Sequence, residues 1–324
     1  MRVKDCVVVV MGASSGIGRA TALAFAGHGA AVVLAARRQE ALDEVARECE
    51  AAGGQALAVP TDVTDFKAVE ELARRAVERF GRIDVWVNDA ALMLFAPFLE
   101  APLEDFRRVL DVNVMGYVHG AKAALPRMKE QGGGVIVNVS SIVGVVAQPY
   151  THAYSMSKAA VRALSASLRQ ELMLEGGDAR KVKVATVLPA TMDTPFFEHA
   201  ANYTGRATKA MPPVYTPERV ARTIVNLVRV PRREVLVGSM GRSLVMQAKL
   251  TPGLVEKMMA VQVDKTHLAR RRPAPATDGN LHEPAHGTGS VHGGWNATRR
   301  TAIRRVMSGA ALAGTLGAAR RWGR

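Results

Sequence analysis

The sequence has few cysteines, few aromatic residues and no long hydrophobic run. Two cysteines, Cys6 and Cys49, are too few for a disulfide framework or a cysteine-based metal centre, and they favour a reducing compartment. The apolar run at residues 7–11 stops at Gly12 and is too short for a membrane span or a signal peptide. We therefore expect a cytoplasmic chain that does not span a membrane.

Acidic residues are also scarce relative to basic ones. The chain carries 43 Lys and Arg against 29 Asp and Glu, a net charge of +14. Residues 265–324 contain eleven of the cations and two of the acids, so nine of the fourteen excess charges lie in this stretch. Aromatic residues are rare between its Arg clusters, and no nucleic-acid binding is expected. The charge predicts at most a weak peripheral contact with an anionic membrane.

Short β-branched runs alternate with longer segments of helical period, which is typical of an α/β fold with a parallel sheet covered on both faces. The predicted strands are residues 6–11, 31–36, 56–60, 83–88, 135–140, 183–188 and 234–237. The predicted helices are residues 18–28, 39–52, 65–80, 103–129, 154–175 and 217–230. Thr64 is the expected N-cap of the third helix. The pattern predicts a Rossmann-type, doubly wound, seven-stranded parallel sheet in a domain of residues 1–250.

Residues 251–324 form the predicted C-terminal extension. From residue 270 to residue 298, Pro, Gly, His and Ala dominate and apolar periodicity is weak, so we expect a partly irregular segment outside the active site. The alternative is that it folds back over the loop around Phe196 or onto a neighbouring subunit. Its histidines are separated by Pro, Gly and Ala without helical spacing, except for the loop pair His282 and His286, and no metal site is expected.

A glycine-rich turn follows the first predicted strand. Glycines at such a strand–helix junction permit a tight turn and let backbone N–H groups approach a pyrophosphate. The turn therefore predicts a dinucleotide site. Its expected cofactor-binding residues are Gly12, Ser14, Ser15, Gly16, Ile17 and Gly18.

Arg37 and Arg38 end the second predicted strand, where an acidic residue would be expected if the ribose 2′-hydroxyl of NAD were bound. Guanidinium groups instead match a 2′-phosphate, because their paired N–H donors fit phosphate oxygens and their charge is permanent. The pair therefore favours NADP(H) over NAD(H). Arg19 is either a further phosphate ligand or a solvated helix residue.

Tyr154 and Lys158 lie one turn apart on a predicted helix. A phenol, with an ordinary pKa of about 10, becomes a useful acid or base at neutral pH when an ammonium group stabilises the phenolate. Asn113 and a Ser-rich strand end containing Ser141 precede the pair. These four residues, in this order, resemble the catalytic tetrad of the classical short-chain dehydrogenase/reductase family, with Ser140 as the alternative to Ser141.

The resemblance covers roughly residues 3–240 and implies a role for each residue of the tetrad. Tyr154 would give a proton to a substrate carbonyl oxygen as hydride arrives from the nicotinamide, and Ser141 would hold that oxygen. Lys158 would lower the pKa of Tyr154 and bind the cofactor ribose, and Asn113 would anchor a water. Further cofactor contacts are implied at Asp62, Val63, Asn88, Ala90, Pro189, Thr191 and Thr194.

Three residues depart from the pattern of this family. Asp89, Ala91 and Ala190 stand where the resemblance leads us to expect Asn, Gly and Gly. If the backbone at Ala91 needs a positive φ, the strain would cost about 1 kcal/mol. We expect these three substitutions to affect the cofactor affinity more than the catalytic groups.

The expected substrate pocket is apolar. Its candidate residues are Met93, Leu94, Phe95, residues 148–152, Met192, Phe196 and Phe197. Such a lining favours a hydrophobic ketone, aldehyde or secondary alcohol over a charged metabolite. We therefore expect an NADPH-dependent oxidoreductase, and the resemblance implies a homo-oligomer. The alternative is a dinucleotide-bound regulatory or scaffold protein with little turnover.

Overall fold

The computed structural model describes residues 2–285 and 289–296, and its strands and helices alternate through most of this length. The helices are α1 (Gly16–Ala26), α2 (Gln39–Ala51), α3 (Phe66–Phe80), α4 (Leu103–Leu110), α5 (Gly116–Glu130), α6 (His152–Glu175), α7 (Glu218–Arg229), α8 (Ser239–Leu250) and α9 (Pro252–Thr266). The strands are β1 (Val7–Met11), β2 (Ala31–Ala36), β3 (Gln55–Pro60), β4 (Val85–Asn88), β5 (Leu94–Phe95), β6 (Gly134–Val139), β7 (Val182–Pro189), β8 (Ala201–Asn202), β9 (Arg206–Thr208), β10 (Glu234–Val237) and β11 (Leu268–Pro273).

Seven strands form one parallel sheet in the order β10-β7-β6-β4-β1-β2-β3. Strand β1 lies inside the sheet next to the central strand β4, and its Val9 pairs with Val33 of β2 on one side and with Trp86 of β4 on the other. The strand order reverses between β1 and β4, and a ligand crevice forms outside the carboxyl ends of strands at such a point. The predicted Rossmann-type sheet is confirmed.

The core lies on both faces of the sheet. Every residue of β1 and of β6 is buried. Successive strand side chains point to opposite faces, so Val7 and Val9 pack with α3 and α5, whereas Val8 and Val10 pack with α1 and α7. Continuous apolar strands are therefore needed here, because helices cover both faces.

The start of α3 differs from the prediction by one residue. The N-cap is Asp65, whose carboxylate accepts the N–H groups of Lys67 and Ala68. Thr64, the predicted cap, instead gives its own N–H and hydroxyl to Asp62 at 2.9 and 2.7 Å. The prediction of Thr64 is wrong because the neighbouring carboxylate is the acceptor that reaches the first helical N–H groups.

The single helix predicted over residues 103–129 is interrupted. A π-helical turn, Asp111–Met115, separates α4 from α5. Such wide turns are frequent at functional sites, and this one contains Asn113. The periodicity of the sequence continues through the turn, which is why it does not reveal the interruption.

The described part of the extension packs on the catalytic body. The boundary predicted at residue 250 falls between α8 and α9, which pack against each other, and β11 pairs antiparallel with β9. Leu268 and Leu281 are fully buried. The apolar periodicity of the described part of the extension is weak because this part pairs with distant segments of the chain, and not because it lacks structure. Among the residues described, no helix is long and apolar enough to cross a membrane.

Candidate functional site

The glycine-rich turn lies at the carboxyl end of β1, beside the crevice. Gly12 and Gly16 have φ values of 91° and 55°, which favour glycine. A Cβ at Gly18 would lie 2.1 Å from the carbonyl oxygen of Gly12, so only glycine allows this closure. Ser15 is the N-cap of α1, and the first N–H groups of that helix form an anion site. The turn therefore fits a pyrophosphate. The motif residues lining the cleft are Gly12, Ser14, Ser15, Gly16 and Ile17.

Arg37 and Arg38 follow β2 and line the far end of the same cleft. The Arg37 guanidinium donates to the carbonyl oxygens of Asn280 and His282, at 2.9 Å each. Both acceptors belong to the extension. The predicted phosphate-binding side chain is thus hydrogen-bonded to the backbone of the extension.

Asp62 and Val63 line the cleft after β3, as predicted. The Asp62 carboxylate accepts from Arg108 at 3.2 Å and from Thr64. Burial raises the pKa of Asp62, but the hydrogen bonds from Thr64 and Arg108 outweigh this effect and hold the pKa below its ordinary value. Asp62 is therefore an ionised hydrogen-bond acceptor at this end of the cleft.

Residues 289–290 lie across the glycine-rich turn. The carbonyl oxygen of Ser290 accepts the N–H of Gly16 at 2.8 Å. A Cβ at Gly289 would lie 2.0 Å from the carbonyl oxygen of Ser14, which shows how closely the two backbones approach. The expectation that the extension stays outside the site is wrong. The contact is made by backbone polar groups of the extension that pair with the turn. Such pairing leaves no apolar periodicity in the sequence.

Trp295 anchors the same segment on the other side of the cleft. Its backbone N–H donates to the Asp193 carboxylate at 2.7 Å, and its indole N–H donates to the carbonyl oxygen of Thr194 at 3.0 Å. Its ring packs edge-on against Phe197. The extension thus contacts the loop after β7 as well as the glycine-rich turn, which is the alternative arrangement around Phe196 that the sequence left open.

Arg19 has neither of its two expected roles. It is buried, and its guanidinium forms ion pairs with Glu44 and Glu48 of α2 at 2.6 and 2.7 Å. It also donates to the carbonyl oxygen of Gly289. Arg19 therefore links α1, α2 and the extension.

Tyr154 and Lys158 lie on the first turns of α6, with the Lys158 ammonium 5.5 Å from the centre of the Tyr154 ring. The ammonium donates to the Tyr117 hydroxyl at 3.1 Å and to the carbonyl oxygen of Val139 at 2.9 Å. Burial raises the pKa of Tyr154 well above its ordinary value, while a hydrogen bond with Ser141 lowers it. Tyr154 is thus a protonated donor at neutral pH in this structure.

The structure distinguishes the two candidate serines after β6. Ser141 lines the cleft, its hydroxyl donates to the carbonyl oxygen of Pro189 at 3.5 Å, and it lies near enough to Tyr154 to lower the pKa of that phenol. The Ser140 hydroxyl is buried and donates to the backbone carbonyl of Lys158 at 2.7 Å. Ser141 is therefore the one available to a substrate oxygen beside Tyr154, and Ser140 ties β6 to α6.

Asn113 is fully buried behind the tetrad. Its amide nitrogen donates to the carbonyl oxygen of Leu92 at 2.9 Å and to the Ser157 hydroxyl at 3.0 Å, and its oxygen accepts the Leu92 N–H at 2.7 Å. These bonds join the π-helical turn, the loop after β4 and α6. The position of Asn113 next to α6 agrees with the predicted tetrad, and its water-anchoring role stays a prediction.

Asp89 places a carboxylate near Lys158, which sequence reasoning noted only as a departure from the family pattern. Its carboxylate lies beside Gly18, whose backbone N–H lowers the pKa of Asp89. Burial raises the pKa of Asp89 to about 7, against the opposite effect of Lys158. Burial likewise lowers the pKa of Lys158 to about 8. The half-buried Asp89 and the buried Lys158 thus influence each other's ionisation at the junction of the cofactor and catalytic regions.

The substituted alanines are not strained. Tyr150 is the non-glycine residue with a positive φ in the described part of the chain, so neither Ala91 nor Ala190 has one. The backbone strain that a positive φ would cause at Ala91 is therefore absent. Gly238 lies against Ala190, with a virtual Cβ 2.8 Å from the Ala190 methyl group.

Most of the remaining predicted cofactor contacts lie on the cleft. Asn88 is the exception: its amide donates to Asn138 at 2.7 Å and accepts from Trp86 at 2.8 Å, in the interior of the sheet. The residues that do line the cleft are Ala90, Pro189, Thr191 and Thr194.

An apolar chamber adjoins Tyr154. Six candidates for this pocket do not line it, namely Leu94, Phe95, Pro149, Tyr150, Thr151 and His152, the last of which packs edge-on against Phe98. Sequence reasoning missed Val143 and several residues from later segments, because nothing in their local pattern connects them with the sheet edge. The candidates found in the lining are Met93, Gln148, Met192, Phe196 and Phe197. The lining residues that were missed include Val143, Met211, Leu244, Met259 and His267.

Comparison with known proteins agrees with this geometry. Residues 6–203 match the family model described as short chain dehydrogenase. The Bacillus subtilis protein named uncharacterized oxidoreductase YxnA is 33% identical over 323 residues, which is 97% of this chain and 89% of that protein. The similarity to that protein therefore continues through the extension.

Solved structures are also similar. A short chain dehydrogenase/reductase from Burkholderia phymatum, in complex with NAD, has a TM-score of 0.71 and 27% identity, covering 79% of this chain and 97% of that one. An alcohol dehydrogenase from Thermococcus sibiricus, complexed with 5-hydroxy-NADP, has a TM-score of 0.61 and 30% identity, covering 72% of this chain and 95% of that one.

Proposed function

The chain belongs to the short-chain dehydrogenase family and is an oxidoreductase, and from this premise we propose that it is NADPH-dependent and interconverts hydrophobic ketones or aldehydes with the corresponding alcohols. The observation that carries the proposal is the meeting of Tyr154 and Ser141 between the glycine-rich cleft and the apolar chamber. Their hydroxyls share a site that a substrate oxygen could enter from the chamber. An apolar chamber favours an uncharged, hydrophobic substrate.

In the proposed reduction, Tyr154 gives its hydroxyl proton to the substrate carbonyl oxygen, and Ser141 donates a hydrogen bond to the same oxygen. The bound dinucleotide supplies the hydride. Lys158 places a positive charge 5.5 Å from the Tyr154 ring and stabilises the phenolate that forms. Alcohol oxidation follows the same path in reverse, with Tyr154 as the base.

The preference for NADPH is proposed from Arg37 and Arg38. Both line the cleft at the carboxyl end of β2, and their side chains are permanent cations. Arg37 already donates to two carbonyl oxygens of the extension, so a 2′-phosphate would replace these acceptors or share the guanidinium donors with them. One similar structure is in complex with NAD and another with 5-hydroxy-NADP. Family membership therefore does not decide between NAD(H) and NADP(H), and the proposal rests on Arg37 and Arg38.

A dinucleotide-bound regulatory protein with little turnover is the second candidate. One observation favours it: carbonyl oxygens of the extension accept from Gly16 and Arg37, the donors expected to bind the cofactor. The test is NADPH and NADH oxidation with a broad panel of hydrophobic ketones and aldehydes. Turnover well above that of Tyr154→Phe supports the enzyme, whereas cofactor binding without turnover of any substrate supports the regulatory protein.

A homo-oligomer in the cytoplasm completes the proposal. Apolar side chains are exposed beside α4, α5 and α6, and they would be covered in an assembly. Cys6 and Cys49 are buried free thiols, which suits a reducing compartment. The exposed residues are Phe98, Leu99, Leu103, Met115 and Met156.

A further inference from the structure

Gln148 places an amide group in the apolar chamber. Its side chain lines the chamber and the residue is only 6% exposed. Among the residues that the structure describes, its Oε1 atom has no hydrogen-bond partner. Buried polar groups are nearly always hydrogen-bonded, and leaving one unpaired costs stability. An unpaired amide in the wall of a cavity therefore points to a ligand group that pairs with it once the side chain turns toward the cavity.

His267 is a second polar group on the same chamber, supplied by the extension. It is 3% exposed, and its ring packs between Phe95 and Phe197, with 5.6 Å between ring centres in each case. Its Nδ1 atom lies 2.7 Å from the carbonyl oxygen of Lys209. A carbonyl oxygen only accepts, so Nδ1 carries the proton of the neutral ring. The other ring nitrogen, Nε2, is left as an acceptor.

Burial keeps the His267 ring neutral. It lowers the pKa of His267 to about 4, against a smaller opposite effect of the bond to Lys209. The surrounding walls are apolar and include Val143, Met211 and Met259. A charged ligand group would lose its hydration here without gaining a counter-charge from these two residues. The polar group that fits this end of the chamber is therefore uncharged.

A hydroxyl is the simplest group that matches both residues. It can donate to the Nε2 atom of His267, which only accepts, and it can also accept from or donate to the Gln148 amide. A carbonyl or ether oxygen cannot donate to Nε2. This match does not depend on which amide atom of Gln148 faces the chamber.

We propose that Gln148 and His267 determine substrate specificity by binding a hydroxyl group remote from the reacting carbon. The substrates would then be hydrophobic ketones, or the corresponding secondary alcohols, that carry a second hydroxyl. This inference rests on the proposed function, because Tyr154 and Ser141 define which end of the substrate reacts. His267 lies beyond residues 6–203, the part matched by the family model, so the specificity would come partly from the extension.

The test compares methyl ketones of six to twelve carbons with the same ketones bearing a terminal hydroxyl. At the best chain length, the wild-type kcat/KM should be at least about tenfold higher for the hydroxylated ketone, since a site built to pair with a hydroxyl discriminates against the analogue that lacks it. Gln148→Leu and His267→Phe should each reduce this ratio at least about threefold. Gln247→Leu, the same change at an exposed position of α8, should leave the ratio unchanged. A wild-type ratio near one at every chain length, or a ratio that survives both variants, overturns the proposal.

Thermal unfolding separates this role from a structural one. Replacing an unpaired amide by Leu should leave Tm unchanged or raise it, because no native hydrogen bond is lost. A clear fall in Tm with an unchanged substrate ratio would assign Gln148 to the fold and overturn the proposal.

Calorimetric measurement of ketone binding tests the inference independently of the proposed function. If no ketone is reduced, the proposed function fails, and the dissociation constants of the paired ketones for the wild type and Gln148→Leu still decide the inference. Tighter binding of the hydroxylated ketone that is lost in Gln148→Leu supports it. Equal binding by both proteins overturns it.

Discussion

The N–H of Gly16 and the carbonyl oxygen of Ser290 are 2.8 Å apart, although they come from opposite ends of the described chain. Gly16 belongs to the turn that fits a pyrophosphate, and Ser290 belongs to the extension. A backbone N–H group of the predicted cofactor site is thus already hydrogen-bonded to a carbonyl oxygen of the protein. If that acceptor competes with a bound dinucleotide, moving it away from Gly16 should tighten dinucleotide binding.

Gly289→Ala should tighten dinucleotide binding several-fold. The added Cβ would lie 2.0 Å from the carbonyl oxygen of Ser14, so the segment must move away and release the N–H of Gly16. Calorimetric titration with NADPH and NADH measures the effect. Gly253→Ala is the matched control, because a Cβ there meets nothing within 4 Å. Weaker binding of both cofactors in Gly289→Ala would show instead that the extension helps to form the site.

Tyr154→Phe should lower kcat by about 10²-fold or more while leaving the cofactor dissociation constant nearly unchanged. The ring and its packing remain, but the transferable proton is removed. Steady-state kinetics on any reduced ketone, together with a cofactor titration, check both parts. Tyr203→Phe is the control, since it removes a hydroxyl bound to Asp105 away from the tetrad. Retention of more than roughly a tenth of kcat would contradict the role of Tyr154.

Changing Arg37 and Arg38 together to Gln should weaken NADPH binding by about 1.5–3 kcal/mol for each charge-assisted hydrogen bond to the phosphate that the change removes, with much less effect on NADH. The physical reason is that NADPH alone carries the 2′-phosphate. Titrations of both cofactors measure the difference. The same double change at the exposed pair Arg232 and Arg233 should alter neither affinity. An equal weakening for NADPH and NADH would show that the pair does not read the 2′-phosphate.

Asp89→Asn should stabilise the protein relative to the wild type increasingly as the pH rises from about 4 to 7. Burial raises the pKa of Asp89 from 3.8 to about 7, so in this window the folded state binds more protons at this group than the unfolded state does. The wild type therefore loses stability from this group as the pH rises, and the neutral amide removes that loss.

Urea unfolding at several pH values measures this effect, and the difference between the two proteins should grow by about 1 kcal/mol or more. Asp278→Asn, at an exposed position, is the control and should show no such trend. A constant difference between Asp89→Asn and the wild type across the window would mean that Asp89 is not titrating there.

Local patterns in the sequence predict much of the molecule. Apolar strand runs, helical periodicity and the glycines at Gly12, Gly16 and Gly18 depend on neighbouring residues, and the sheet and its turn follow them. The one-turn spacing of Tyr154 and Lys158 is likewise local, because a helix places them on one face.

The tertiary structure alone decides which distant groups meet. The ion pairs of Arg19 with Glu44 and Glu48, and the hydrogen bonds of Arg37 with the extension, join segments whose local sequences give no sign of each other. The placement of His267 on the chamber depends on β11 pairing with β9. By itself the sequence determined the α/β sheet, the turn and the order of the tetrad, since these depend on short-range backbone and side-chain preferences. Long-range packing, which no local pattern encodes, decides which hydrogen-bond donors pair with the extension and which polar groups line the chamber.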